Sequence, residues 1–138
     1  MTEKRKIVAS GSIKIKDDEL IDDEFGRLKF TVEGVVSRDQ PSVSIATKSK
    51  CVGGEVRFEL ELDAGYLDSG DVRITGEARL YEGVIDSTTE EEDTQDIDLI
   101  VPKDSTARKD IRVESTGIGG GDWAKGSISF TNTGLAEK

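Results

Sequence analysis

The chain contains no histidine and a single cysteine, Cys51. Without imidazole it lacks the commonest general base, the Ser-His nucleophile pair and the usual nitrogen ligand for zinc. One thiol excludes an intrachain disulfide and a thiolate zinc site. Its expected place is the core, where free cysteines are most often found. Aromatic residues make up 5% of the chain, so a core has to be built from Val, Ile and Leu. Long apolar runs are missing, and no segment approaches the length of a transmembrane helix. Only Ile7-Val8-Ala9 follows the basic start Met-Thr-Glu-Lys-Arg-Lys, too short for the apolar part of a signal peptide. A cytoplasmic protein is therefore expected. Positive charge is also in deficit: 29 acidic against 19 basic residues leave a formal net charge of -10, which would repel phosphates. Nucleic acid and membrane are accordingly not expected as partners.

What is present is alternation. Val56, Phe58, Leu60 and Leu62 alternate with Arg57, Glu59, Glu61 and Asp63. After a Gly- and Asp-rich loop, Val72, Ile74, Gly76, Ala78 and Leu80 alternate with Arg73, Thr75, Glu77, Arg79 and Tyr81. Side chains on a strand point to opposite faces with period two, so each run makes a strand with one apolar and one charged face. Outward Arg57, Arg73 and Arg79 among Glu59, Glu61 and Glu77 read as cross-strand charge pairs rather than an anion site. Apolar residues at 34% and charged residues at 35% suit sheets that keep one face in water.

The same pattern recurs along the chain. Ile7, Ala9, Ile13 and Ile15 share a parity, with Gly11 an expected bulge or bend. Asp17 to Glu24 fits either one turn of helix or an acidic loop. Leu28, Phe30 and Val32 define a second strand, with Gly34 expected to break its register. Ser37 to Pro41 reads as a turn. A third strand, with Val43 and Ile45 inward, ends in the polar Thr47-Lys48-Ser49-Lys50, as at a sheet edge. Gly83 to Thr94 reads as a solvated loop because it is acidic and aperiodic. Further strands surround Ile97 to Val101, Ile111 to Val113 and Ser127 to Thr131, with a glycine loop at Gly117 to Gly121. About eight strands with regular turn signals and no long helix predict an all-β fold. An antiparallel β-sandwich is favoured over a β-barrel, as a single domain spanning 1–138 with frayed ends.

Candidate chemistry is sparse. Asp63, Asp68 and Asp71 flank one hairpin loop and form the best candidate set for a divalent cation such as calcium, which takes six to eight oxygen ligands in irregular geometry. No EF-hand loop is present, and solvated carboxylates are the plainer reading of the acidic segments. Gly117 to Gly121 lacks the lysine and hydroxyl of a phosphate-binding loop. Trp123, the only tryptophan, with Tyr66 and Tyr81 would form a recognition surface if the loops bring them together; Trp123 capping the sandwich end is the plainer alternative. Two carboxylates across a cleft would suit glycoside hydrolysis, but nothing in the sequence places such a pair. The expectation is a non-enzymatic binding or structural module contacting a protein partner or a divalent cation. A carbohydrate-binding module is second and a carboxylate hydrolase third.

Overall fold

In a computed structural model, the alternating runs become eight antiparallel strands among the described residues, which are 3–18, 22–53, 56–82, 90–115 and 121–135. They are β1 (Lys4–Asp17), β2 (Glu24–Ser37), β3 (Ser42–Val52), β4 (Val56–Tyr66), β5 (Val72–Glu82), β6 (Glu90–Val101), β7 (Thr106–Glu114) and β8 (Trp123–Gly134). One sheet, A, has the order β2-β1-β8-β7; the other, B, is the meander β3-β4-β5-β6. The two sheets do not close into a barrel, so the architecture is a β-sandwich. No described helix is long and apolar enough to cross a membrane.

The core lies between the inward rows. On β1 that row is Ile7, Ala9, Ile13 and Ile15; on β8 it is Ala124, Ile128 and Phe130; on β4 it is Val56, Phe58, Leu60, Leu62 and Ala64. The expected bulge at Gly11 and break at Gly34 do not occur, since β1 and β2 pair in unbroken register from Lys4↔Ser37 to Asp17↔Glu24. Gly11 instead makes room: a Cβ there would come within 2.6 Å of the Phe30 ring. The register does shift between Ser44 and Ala46 on β3. An extra residue reverses the alternation, so Ala46 and Val52 turn inward and Cys51 turns out. Cys51 is therefore exposed, contrary to its expected burial.

Two further expectations fall differently. Residues 90–94 continue β6 instead of forming a loop, because β5 pairs with them as far as Glu82↔Glu90. Asp93 is used within the fold, accepting from the backbone amides of Thr94 and Glu114. Asp17 lies in β1 and is fully buried rather than in a helical turn. The rest of the 17–24 question, at 19–21, lies outside the described residues. So do the segment 83–89, the glycine loop at 116–120 and the outermost residues of both ends.

Strand direction puts both crossovers between sheets, 38–41 and 102–105, at one end of the sandwich, together with the β4–β5 loop. A polar node closes that end. Arg5, 2% exposed, occupies the inward row of β1 and donates through Nε to Asn132 Oδ1 at 2.9 Å. Its Nη2 meets Asp104 Oδ1 at 2.6 Å. Asn132, fully buried on β8, donates to the carbonyls of Gly70 and Val101 at 3.0 Å each, tying sheet A to sheet B.

Candidate functional site: the outer face of sheet A

The outer face of sheet A is read row by row across β2, β1, β8 and β7. One row is Arg27, Lys14, Lys125, Arg112, four cations directly opposite one another on four adjacent strands. With strands about 4.8 Å apart, the row spans roughly 14 Å. Like charges facing each other across strands are destabilising, so this row is an arrangement that folding alone disfavours. Arg112 is paired with Glu114 on its own strand at 3.4 Å. Among the described residues no carboxylate pairs with Arg27, Lys14 or Lys125. Arg27 donates instead to the Ser12 hydroxyl at 2.8 Å.

The next row, toward the strand ends, is Phe25, Lys16, Trp123, Glu114. The Phe25 and Trp123 rings are 6.3 Å apart at 59°. Each carries a lysine: Lys14 Nζ lies 4.6 Å from the Phe25 centroid and Lys125 Nζ 4.6 Å from that of Trp123. Such cation–π contacts hold an ammonium without neutralising it. Phe25 is 53% exposed, the largest exposure among the big apolar side chains described.

Rows on the other side carry hydroxyls. They are Lys29, Ser12, Ser127, Asp110 and then Thr31, Ser10, Ser129, Arg108. The two central strands thus present four serines, while the flanking strands present long charged side chains. Over these two rows the side chains of β1 and β8 are shorter than those of β2 and β7. Ser10 and Thr31 share a hydrogen bond of 3.2 Å. Among the described residues, nothing hydrogen-bonds the side chains of Ser127 or Ser129. Completing the face are Lys4, Lys6 with Glu33 at 3.0 Å, and Arg108 with Asp110 at 3.1 Å. The face therefore bears nine cations and three carboxylates in a chain of net charge -10.

At its aromatic end the face borders an acidic corner. The Asp18 backbone amide donates to Asp122 Oδ1 at 2.7 Å, and Asp122 is 3% exposed. The Asp18 carboxyl shares a hydrogen bond with Asp23, which raises its pKa; desolvation and the Asp23 charge push the same way. Lys16 Nζ reaches Asp23 at 3.6 Å and Asp18 at 3.9 Å.

The residues singled out from sequence are not brought together. Trp123 is on this face, half-buried. Tyr66 is at the opposite end of the sandwich, where its hydroxyl donates to Glu3 at 3.4 Å. Tyr81 lies at the same end as Trp123 but on the outer face of sheet B, with the Arg57 guanidinium 4.5 Å over its ring. The aromatic partner of Trp123 is Phe25, a residue that sequence reading passed over. Its odd parity, opposite to that of inward Leu28 and Phe30, was the available signal.

The three aspartates also diverge. Asp63 points outward on β4, opposite Ser44 and Thr75. Asp68 is an exposed loop residue 4.0 Å from Arg38. Asp71 accepts from the Lys103 amide at 2.9 Å, joining the β4–β5 loop to the turn after β6. Among the described residues no three acidic or thiol side chains are grouped to hold a metal ion.

The outer face of sheet B differs in character. Arg79 lies within 4.0 Å of Glu59, 3.3 Å of Glu61 and 2.6 Å of Glu77. These hydrogen bonds, that to Glu77 first, raise its pKa against the opposing effect of burial. Arg73 makes a bidentate pair with Asp98 at 2.9 and 2.7 Å, in a shallow depression that Leu67, Leu99 and Ile100 also line. The cations here are consumed by neighbouring acids. Those of the four-cation row are not.

No protein-family model matches the chain, and no curated protein matches it in sequence.

Proposed function

We propose that the protein is a non-enzymatic binding module whose working surface is the outer face of sheet A, and that this surface takes an extended anionic partner. The observation that carries this reading is the row Arg27, Lys14, Lys125, Arg112. Sheet B shows how this chain handles arginines that serve the fold: each has an acid beside it. Three of the four cations in the row have no acid partner among the described residues, and two are held on aromatic rings that leave their charge available. An anion laid across the row would relieve the repulsion and regain the Coulomb energy. The net charge of the molecule opposes long-range approach of a polyanion, but at physiological salt charges act over about 8 Å. The local face, not the sum, then decides.

The test is binding of fluorescein-labelled dextran sulfate followed by polarisation. Replacing both Lys14→Gln and Lys125→Gln is expected to weaken binding by at least about tenfold, some 1.4 kcal/mol. Lys48→Gln with Lys50→Gln, on the β3 edge, changes the net charge equally and is expected to leave binding within about twofold. Equal losses in the two double variants would remove the face as the site.

A further inference from the structure

Resting on that reading, we infer that the anionic partner is a sugar polymer bearing carboxylate or sulfate groups, lying along the outer face of β1 and β8. Three features select sugar among polyanions. Two adjacent rows of β1 and β8 present Ser10, Ser12, Ser127 and Ser129, and among the described residues the last two have no hydrogen-bond partner in the protein. A hydroxyl both donates and accepts, which matches the alternating donors and acceptors of sugar hydroxyls; a phosphate chain offers acceptors alone. The second feature is the aromatic pair, separated from the serines by the row of Lys14 and Lys125. Phe25 and Trp123 offer an apolar step beside a charged row, a combination suited to a pyranose with one apolar face and an acidic substituent.

The third feature is shape. A bilayer surface would be met by aromatic side chains projecting at a loop tip. Here Lys14 and Lys125 lie over the two rings, and both rings belong to strands. A single-stranded nucleic acid would need several successive stacking platforms along its path, and beyond Trp123 the outward residues of β8 are Lys125, Ser127, Ser129 and Thr131, none of them aromatic. Lys29 on β2 flanks the serines as a cation with no acid partner among the described residues, while on β7 Arg108 stands beside Asp110 at 3.1 Å. The acidic groups of a linear chain would therefore be held from the β2 side.

The experiment compares polygalacturonate and dextran sulfate with inorganic polyphosphate, oligo-dT and phosphatidylserine vesicles at matched charge concentration. The wild type is set beside two double variants, Ser127→Ala with Ser129→Ala, and Lys14→Gln with Lys125→Gln. Both serines are on the solvent side of β8, so their replacement leaves the core intact. The inference expects at least one glycan to bind more tightly than every non-sugar polyanion. It expects the serine variant to lose about fivefold or more in glycan affinity and nothing in polyphosphate affinity. Equal or tighter binding of polyphosphate, oligo-dT or vesicles, with the serine variant indistinguishable from wild type, would overturn the sugar assignment and leave the polyanion surface standing. Binding to no probe more tightly than the lysine variant shows would overturn both.

Discussion

At the scale of single residues, Asn132 ties the two sheets together from within the core. It is the only fully buried amide described, and all three of its side-chain bonds cross to other elements. Asn132→Ala would leave the Arg5 Nε and two carbonyls without partners in a dry site. Each such group costs about 1–3 kcal/mol, and relaxation shares the loss, so a destabilisation of about 3 kcal/mol is expected in urea unfolding. A loss under about 1 kcal/mol would show that water satisfies the node. Acid titration probes the same node from its rim. The Arg5 hydrogen bond holds the Asp104 carboxyl below its ordinary 3.8, and the Lys103 hydrogen bond does the same for Glu3. A depressed carboxyl contributes stability above its ordinary pKa and loses it as pH falls through the folded value. Asp18, raised by Asp23, works in the opposite sense: its contribution is present at low pH and disappears as pH rises through its raised value. Asp104→Asn should therefore lower the melting temperature at pH 7 and shrink the wild type's decline below 3.8. An unchanged decline would assign acid sensitivity to other carboxylates.

The same residues show where legibility ended. Arg5 and Asp17 continue the odd-numbered inward row of β1 beyond its isoleucines. Hydropathy marked the row as ending at Ile7 and Ile15. Parity would have carried it two residues further at both ends. Whether a charged residue at a strand end stays inside depends on partners brought from Asp104 and Asn132, over a hundred residues away in one case. No local pattern encodes that.

At the scale of elements, strand existence was legible because one face of each sheet is solvated, which gives clean alternation. The exceptions have local causes. The β3 bulge reverses parity without a Gly or Pro to announce it, and this exposed Cys51. The start of β6 looked like a loop, yet Asp93 and Gln95 bond to β7 rather than pack in the core. Gln95 accepts from the Arg112 amide at 2.8 Å and donates to the Asp110 carbonyl at 3.0 Å, while Asp93 accepts from Glu114 N at 2.9 Å. Side chains of β6 thus occupy hydrogen-bonding groups on the free edge of β7, where another chain would otherwise pair. Gln95→Ala should speed hydrogen exchange at the Arg112 amide by about tenfold while leaving the paired β8 amides unchanged. Exchange at Arg112 that does not change would place its protection elsewhere.

At the scale of the whole molecule, the decisive property is segregation of charge, which composition conceals. A net charge of -10 argued against anionic partners, yet nine cations with three acids share one face and most of the excess acid is elsewhere. Sheet order could not be read from sequence, because β1 and β8, more than a hundred residues apart, become neighbours only at the centre of the folded sheet A. Without that adjacency Lys14 does not face Lys125, and Phe25 does not approach Trp123. If the cation row exists for binding, it should cost the fold something, and replacing one member should separate the two properties. Lys14→Glu turns two repulsive cross-strand pairs, with Arg27 and Lys125, into attractive ones. Each conversion is worth a few tenths of a kcal/mol, against about 0.5 kcal/mol lost with the Phe25 cation–π contact. At about 0.15 M salt the extra negative charge is screened from the distant acids, so the balance is local and close to neutral, within about 0.5 kcal/mol of zero. The variant is expected to melt close to the wild-type temperature and to bind dextran sulfate at least about tenfold more weakly. A variant less stable by more than about 1 kcal/mol at that salt would mean that the row is not under repulsive strain, and the physical ground for reading it as a binding surface would be lost.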